Sequence, residues 1–465
     1  MRDTKRRFEL FSFYDRTGIQ AHLERMAARG WLLEKMGNFG WLYRRIVPKK
    51  LHFAVTYFPK ASEFDAGLAE GQDTFQDYCA QAGWQPAAKW AQMQVYYNEA
   101  EAPVPIETDA AVQVETVHRA MKKNFLPGQA VMLLLALIQL GMFFRRLHRE
   151  PVGVLSSYTS LFVGVCWAVV ILLCLTELVS YLLWYRRAKA AAQSGAFVET
   201  HSHRGLQAAA LALLGAGLPL WFGVLARSRQ QLAIGVGSLL LMMLLMFLPN
   251  FIKARLKRKR VSAGLNRAVT LISCFVLAFA LTGGLTFCIF RLDLDHPGEE
   301  TYTYQGYSYD KDPMALPMTL EDLTGETYEH VSRERSASRT VFLAHSSCQE
   351  RVQNDSGSGP LSLSYEITDI KQPWLRDLVV RDYLENTGFS VRVHGTVTFD
   401  FSWDWLPESS PARWGADAVY RKRWEDGDMR NEYLLFYGDR VVELTLEEAP
   451  TPAQTAVIGE KLKTA

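Results

Sequence analysis

"HLERMAARGWLLEKMGNFGWLYRRIV" occupies His22–Val47, and "FQDYCAQAGWQPAAKWAQMQVYYNEA" occupies Phe75–Ala100. Both read as the end of a helix, then Gly-Trp, then two short strands. In this register Trp31 falls on Trp84, Leu42 on Val95 and Tyr43 on Tyr96. Gly30 and Gly83 sit where a helix stops, and a glycine there takes the left-handed conformation without a Cβ penalty. The tryptophan that follows is expected to fold back under its helix and bury a large ring against a sheet. Gly30, Trp31, Gly83 and Trp84 are therefore read as structural anchors.

Outward from these corners, "RRFELFSF" alternates apolar with polar residues, as a half-buried strand does. Residues 16–29 place Ile19, Leu23 and Met26 on one helical face, and 70–82 do the same with Phe75, Tyr78, Cys79 and Ala82. "LHFAVTYF" is an alternating strand. The order is βαββ twice, which predicts one α+β domain over 1–110. Its expected form is a six-stranded, mostly antiparallel sheet with two helices on one face. Residues 107–124 carry Ala110, Val114, Val117 and Met121 at helical spacing and read as a connecting helix.

The near-zero overall charge of the chain describes none of its parts. Residues 1–120 hold 15 Lys/Arg and 15 Asp/Glu; 121–290 hold 18 and three; 291–465 hold 18 and 31. The basic middle part contains five apolar runs, about 125–144, 160–185, 206–226, 231–252 and 268–290, each near the ~20 residues that cross a bilayer. The chain thus reads as a multi-domain, multi-pass protein of the cell membrane.

Positive charge resists translocation. With the N-terminus in the cytoplasm, the inner flanks carry 14 Lys/Arg and the outer flanks six, and five spans place the C-terminus outside. Lys253, Arg255, Lys257, Arg258, Lys259 and Arg260 form the strongest inner marker. They are an ordinary topology anchor or a site for anionic membrane lipid. No role in binding nucleic acid directly is expected.

Residues 291–465 are acidic and aromatic and read as an extracytoplasmic α+β domain. "LSLSYEITDI" is a strand, "PWLRDLVVRDYLENTG" a helix, and "EYLLFYGDRVVELTLE" a hairpin turning at Gly438-Asp439. A closing helix follows Thr451-Pro452. The tyrosines at 302, 304, 307 and 309 form a packing face or a ligand face. Cys348 is the one cysteine of this region, so no disulfide within it is expected.

Catalytic motifs are missing from the sequence. There is no G-x-x-x-x-G-K-[ST] loop, no H-E-x-x-H and no G-x-S-x-G elbow. "SGSGP" (356–360) is a flexible turn. Asp293, Asp295, His296, Glu299 and Glu300 cluster without the spacing of a calcium loop. His201 and His203 read as solvated histidines. No catalytic residue, metal or cofactor is therefore expected, and the chain is not read as an enzyme. Glu177 stands apart, because a carboxylate inside a span marks a functional site by default. Its plainer reading is a packing hydrogen bond within the bundle.

The stretch "FSFYDRTGIQAHLERMAARGWLLEKM", with "WLYRRI", "HFAVTYF" and "FQDYCAQAGWQ", resembles the domain-of-unknown-function 2812 family over about residues 5–110. That resemblance implies a bacterial protein, often with transmembrane helices behind the domain. It brings no established activity and no catalytic residues. Members are commonly encoded beside PadR-type transcriptional regulators, which implies a signalling role with such a regulator as a cytosolic partner. A transporter or an export-complex accessory subunit is the alternative.

Overall fold

The computed structural model describes the backbone of residues 3–37, 40–225, 229–294, 301–304, 306–353, 361–385, 387–393 and 397–464. Side chains are described for these apart from most of 218–246, 285, 288–294, 301 and 389–401. The chain forms two units, 1–138 with 166–294 and 139–165 with 295–465.

The first unit opens with β1 (Thr4–Arg7), α1 (Arg16–Ala28), β2 (Trp31–Lys35) and β3 (Trp41–Arg45). The pattern repeats as β4 (His52–Tyr57), α2 (Gln72–Gln81), β5 (Gln85–Trp90) and β6 (Met93–Asn98). Each repeat makes its own antiparallel sheet, in the order β1-β3-β2 and β4-β6-β5. The expected single six-stranded sheet is thus corrected to two three-stranded ones. β2 and β5 are neighbours but share no ladder. Both carry a register shift, between Leu33 and Lys35 and between Pro86 and Ala88. Pro86 also has no N–H to offer a partner strand.

The two corners obey the sequence reading. Gly30 follows α1 with φ +81° and Gly83 follows α2 with φ +79°. A Cβ on Gly30 would also stand 2.9 Å from the Ile46 carbonyl oxygen. The tryptophans differ. Trp84 is 4% exposed and donates from Nε1 to the Val104 carbonyl at 2.8 Å. Trp31, expected to be buried in the same way, is half-buried, with Lys5 Nζ 5.5 Å from its ring centre. Tyr78, expected on the buried side of α2, faces solvent, while Cys79 is buried.

α3 (Ala110–Ala120) runs through a π turn at Met121–Phe125 into α4 (Leu126–Arg149), a continuous helix of 40 residues. The Leu126 N–H reaches back to the Met121 carbonyl. Pro127 follows at once, and the widened turn accommodates a ring that a regular α-helix would clash with. The short α5 (Pro151–Leu155) leads to α6 (Tyr158–Ala192), α7 (Arg204–Leu225), α8 (Arg229–Arg258) and α9 (Ala263–Leu294).

Among the described residues, three segments are long and apolar enough to cross a membrane: Ala110–Arg149, Tyr158–Ala192 and Ala263–Gly284. α7 and α8 cover the other two expected spans, and most side chains from 218 to 246 there lie outside the described residues. Apolar side chains on these helices stay uncovered, Phe279 at 77% exposure among them. In water such a surface would drive association; in lipid it costs nothing.

One apolar core joins most of the N-terminal domain to α3 and α6. It joins Ile19, Leu23 and Met26 of α1 with Leu33 and Tyr43 of the first sheet and Val55 and Val95 of the second. Val117 of α3 and Tyr181, Trp184 and Ala188 of α6 belong to the same core.

The second unit holds a hairpin of β7 (Thr301–Tyr304) and β8 (Tyr307–Asp310), then α10 (Leu320–Thr324). An antiparallel sheet of eight strands follows. It contains β9 (Val331–Arg339), β10 (Leu343–Val352), β11 (Leu361–Ile370), β12 (Gly388–Val393) and β13 (Val397–Pro407). β14 (Ala418–Trp424), β15 (Met429–Tyr437) and β16 (Arg440–Leu446) complete it, in the order β12-β13-β14-β15-β16-β11-β10-β9. α11 (Arg376–Glu385) follows β11, and α12 (Pro452–Thr464) closes the chain.

Thr451 caps α12 through a reciprocal pair. Its hydroxyl accepts from Gln454 N–H at 3.3 Å, and its own N–H donates to Gln454 Oε1 at 2.8 Å. One sheet face buries Tyr365, Leu435, Val442 and Leu444 against Ile458 and Leu462 of α12. The other buries Leu343, Leu434 and Val441 against Val379 of α11 and Val152 and Leu155 of α5. The acidic cluster from Asp295 to Glu300 and the "SGSGP" turn lie outside the described residues.

Two expected results arise from this domain. A Cβ on Gly459 of α12 would stand 2.2 Å from the Trp414 carbonyl oxygen. Gly459→Ala is therefore expected to destabilise the domain by about 2–3 kcal/mol despite alanine's better helix propensity, because overpacking outweighs it. A rise in melting temperature would contradict this contact.

Glu443 of β16 is pushed up to about 7 by burial and by Glu366 opposite it, against the pull of Lys422. A carboxyl held above its unfolded value of 4.5 binds its proton more tightly when folded. Its contribution to stability is thus present below pH 4.5 and is lost as pH rises through about 7. Glu443→Gln is expected to flatten the fall of melting temperature between those limits. An unchanged pH profile would exclude Glu443 as its source.

Candidate functional site

The segment from Phe11 to Gly18 follows β1 and enters α1, and Asp15 within it does two jobs. Asp15 is the N-cap of α1, accepting from Gly18 N–H at 3.0 Å. A Cβ on Gly18 would collide with that carboxylate. Asp15 also reaches the loop between α6 and α7. Thr200 Oγ1 donates to it at 3.0 Å, and the Ser202 hydroxyl bonds its other oxygen. Its side chain is buried, so three donors replace the water it has lost.

Further bonds close the clasp. Thr17 N–H donates to Thr200 Oγ1 at 3.0 Å, and Thr200 N–H donates back to the Thr17 hydroxyl at 3.2 Å. Ser12 N–H donates to the Ser202 hydroxyl at 3.0 Å. The Arg204 guanidinium lies 3.6 Å from the centre of the Phe11 ring and donates to the Gly18 carbonyl at 3.3 Å. Tyr14 packs edge-on against Tyr181 of α6 and against Trp184. Burial, with the Glu177 and Asp15 carboxylates beside it, raises the Tyr14 hydroxyl far above its usual range.

Glu177 belongs to this clasp. Its Oε1 accepts from the Ser12 hydroxyl at 3.0 Å and from the Gln207 amide of α7. The residue is 8% exposed, and its Oε2 has no hydrogen-bond partner among the described residues. Gln129 Oε1 is in the same condition, and both residues line a cavity of about 370 Å³ with Ser12 and Trp90.

Behind the clasp, His22 of α1 meets Glu9 and the Tyr43 hydroxyl, each at 3.2 Å. Burial lowers His22, Glu9 opposes this, and Arg204, Arg7 and Arg25 add to the lowering.

The other sequence-marked residues are dispersed. Trp84 anchors α2 in a small cluster with Cys79 and Tyr96. Lys253 pairs with Glu63 at 2.9 Å and lies 5.8 Å from the Phe64 ring centre. Lys257 is half-buried, while Arg255, Arg258, Lys259 and Arg260 are exposed at the end of α8. The basic run is thus divided between contacts to the N-terminal domain and solvent. His203 bonds the Ser180 hydroxyl at 2.9 Å, and the His201 carbonyl accepts from Tyr14 at 3.4 Å. Among the described residues no three His, Cys, Asp or Glu are grouped to hold a metal.

Sequence reasoning missed Asp15, Thr17, Thr200 and Ser202. The available signals were an aspartate just before a helix and a run of Thr, Ser and His after a span.

No curated protein and no solved structure matches the chain. Residues 16–127 match the model of a family described as protein of unknown function (DUF2812), from α1 into the first turn of α4. The paired Gly-Trp corners therefore belong to a DUF2812 domain, which forms the N-terminal part of this membrane-helix-bearing chain.

Proposed function

We propose that this is a non-enzymatic signalling protein of the cell membrane, with the DUF2812 domain in the cytoplasm and the C-terminal domain outside. The observation that carries the reading is the clasp. The domain closes its core with Tyr181 and Trp184 of a membrane helix and bonds the following loop through Asp15. A domain built this way senses any displacement of α6, which is what a transmembrane regulator requires. Signalling then needs two states that a ligand biases differently.

The topology has two supports. The 14-to-six bias of Lys and Arg favours a cytoplasmic N-terminus. The loop after α6 packs on the N-terminal domain, whereas α5, before α6, packs in the core of the C-terminal domain. A single span, α6, separates those two loops along the chain. An odd number of spans satisfies both, and five are reached when α7 and α8 also cross.

The partner is a cytosolic protein, with a PadR-type transcriptional regulator as the first candidate. The test is purification of the full chain from its native membranes in mild detergent, with partners identified by mass spectrometry. A DNA-binding regulator that is recovered with the full chain and lost on deletion of 1–110, with membrane insertion retained, is the expected result. Recovery of transporter subunits alone would overturn it.

The unpartnered Glu177 Oε2, facing a cavity, favours a second reading as a transporter or export-complex subunit. Glu177→Gln keeps an acceptor for Ser12 and Gln207. It is expected to leave partner recovery within about fivefold, since a neutral acceptor bond differs from a charged one by on the order of 1 kcal/mol. Loss of an ion flux with partner binding intact would move the assignment to transport.

A further inference from the structure

The two three-stranded sheets and the end of α8 enclose a cleft of about 780 Å³. Gln72 and Gln94 line it and are 1% and 3% exposed. Ala69 N–H donates to Gln72 Oε1 at 2.9 Å, and the Tyr96 hydroxyl donates to Gln94 Oε1 at 2.8 Å. Each amide is thereby turned so that its nitrogen remains to donate. Neither Nε2 has a hydrogen-bond partner among the described residues. A buried donor left in that state is destabilising, and a ligand acceptor would relieve it.

The charge around these amides has one sign in excess. Arg6, Lys35, Lys89, Lys253 and Lys257 line the cleft against Glu34, Glu63 and Asp65, a surplus of two positive charges. Lys253 is already paired with Glu63. Burial lowers Lys257, and the positive charge of Lys253 beside it adds to the lowering; an anion placed there would favour its charged form.

We propose that this cleft binds a phosphate group, which accepts from the Gln72 and Gln94 amides and is neutralised by Lys89 and Lys257. A phosphate monoester carries about −1.5 to −2 charges and three strong acceptor oxygens, which matches two amide donors and a surplus of two cations. A cation would meet N–H groups and like charge. The volume suits a molecule of nucleotide size or the headgroup of an anionic lipid, since small-ligand pockets run from about 300 to 1,000 Å³. The assignment goes beyond the regulatory reading and does not need the protein partner.

The experiment uses the full chain in lipid nanodiscs, with thermal unfolding as the readout. One arm titrates inorganic phosphate into phosphatidylcholine discs. The other replaces part of the phosphatidylcholine with phosphatidic acid. Stabilisation in the first arm assigns a soluble phosphate compound, and stabilisation confined to the second assigns a lipid headgroup; either supports the site. Gln94→Leu and, at the rim, Lys257→Met are each expected to weaken the response about tenfold, as loss of one charge-assisted bond does. Arg258→Gln with Lys259→Gln, outside the cleft, is expected to retain it. Stabilisation by neither probe overturns the proposal. So does a response that Lys257→Met leaves intact or that the outer pair abolishes equally.

Discussion

Asp15→Ala is expected to destabilise the N-terminal domain by about 3–5 kcal/mol. Loss of a helix N-cap alone costs about 0.5–2 kcal/mol. The carboxylate also accepts from Thr200 and Ser202 within a buried site, and hydrogen bonds to a charged group contribute about 1.5–3 kcal/mol each before overlap is discounted. Alanine leaves the Ser202 hydroxyl and the Gly18 N–H without this acceptor, while the Thr200 hydroxyl keeps the Thr17 hydroxyl at 3.3 Å. The contributions share one side chain, so they do not add in full. Thermal unfolding in detergent, followed by proteolysis of the segment before α3, measures the effect. Thr200→Ala, which removes one donor and spares the cap, is expected to cost about 1–2 kcal/mol. Equal effects for the two variants would show that the cap bond at Asp15 contributes nothing.

The second large effect is expected at Trp84. Its ring lies in a small cluster of its own with Cys79 and Tyr96, partly covered by Phe75 and Ile106. Truncating a buried aromatic costs about 3–5 kcal/mol, and Trp84→Ala also orphans the Val104 carbonyl that its Nε1–H bonds. Trp31→Ala is expected to cost less, about 1–2 kcal/mol, because part of that ring already faces solvent beside Lys5. The ordering of the two variants is the test. If Trp31→Ala proves the more damaging, the corners are not anchored as their burial indicates.

These two residues also mark what a one-dimensional reading can and cannot reach. The Gly-Trp corners, both βαββ repeats and the long apolar helices are local patterns of period, glycine placement and length, and they could be read directly. The split into two sheets could not, because it depends on whether β2 and β5 form a ladder. Two bulges and Pro86 decide that against the pattern. Trp31 and Trp84 share a motif but not a burial, since Phe75, Cys79, Tyr96 and Ile106 cover Trp84, whereas part of the Trp31 ring faces solvent beside Lys5.

The clasp was less legible still. Asp15 and Thr200 are separated by 185 positions, and a hydrogen bond leaves no periodic trace in sequence. Glu177 was conspicuous as a carboxylate among apolar residues, yet Ser12, its partner on the N-terminal domain, was not. The cleft depends on two glutamines that look like ordinary surface residues in the sequence.

The shared core has a consequence for biosynthesis. Tyr181, Trp184 and Ala188 complete the N-terminal core, and Thr200, Ser202 and Arg204 fasten its entry loop. None of them exists when the ribosome has finished both βαββ repeats. At about 5–20 residues per second, the nascent domain waits roughly 5–20 s for the second membrane helix and its loop to emerge. Its half-closed core must be kept from aggregating through that interval. Formation of α4 and α6 is therefore a step in folding the N-terminal domain, and a ribosome stalled before residue 181 leaves a domain that has every strand but no lid on its core.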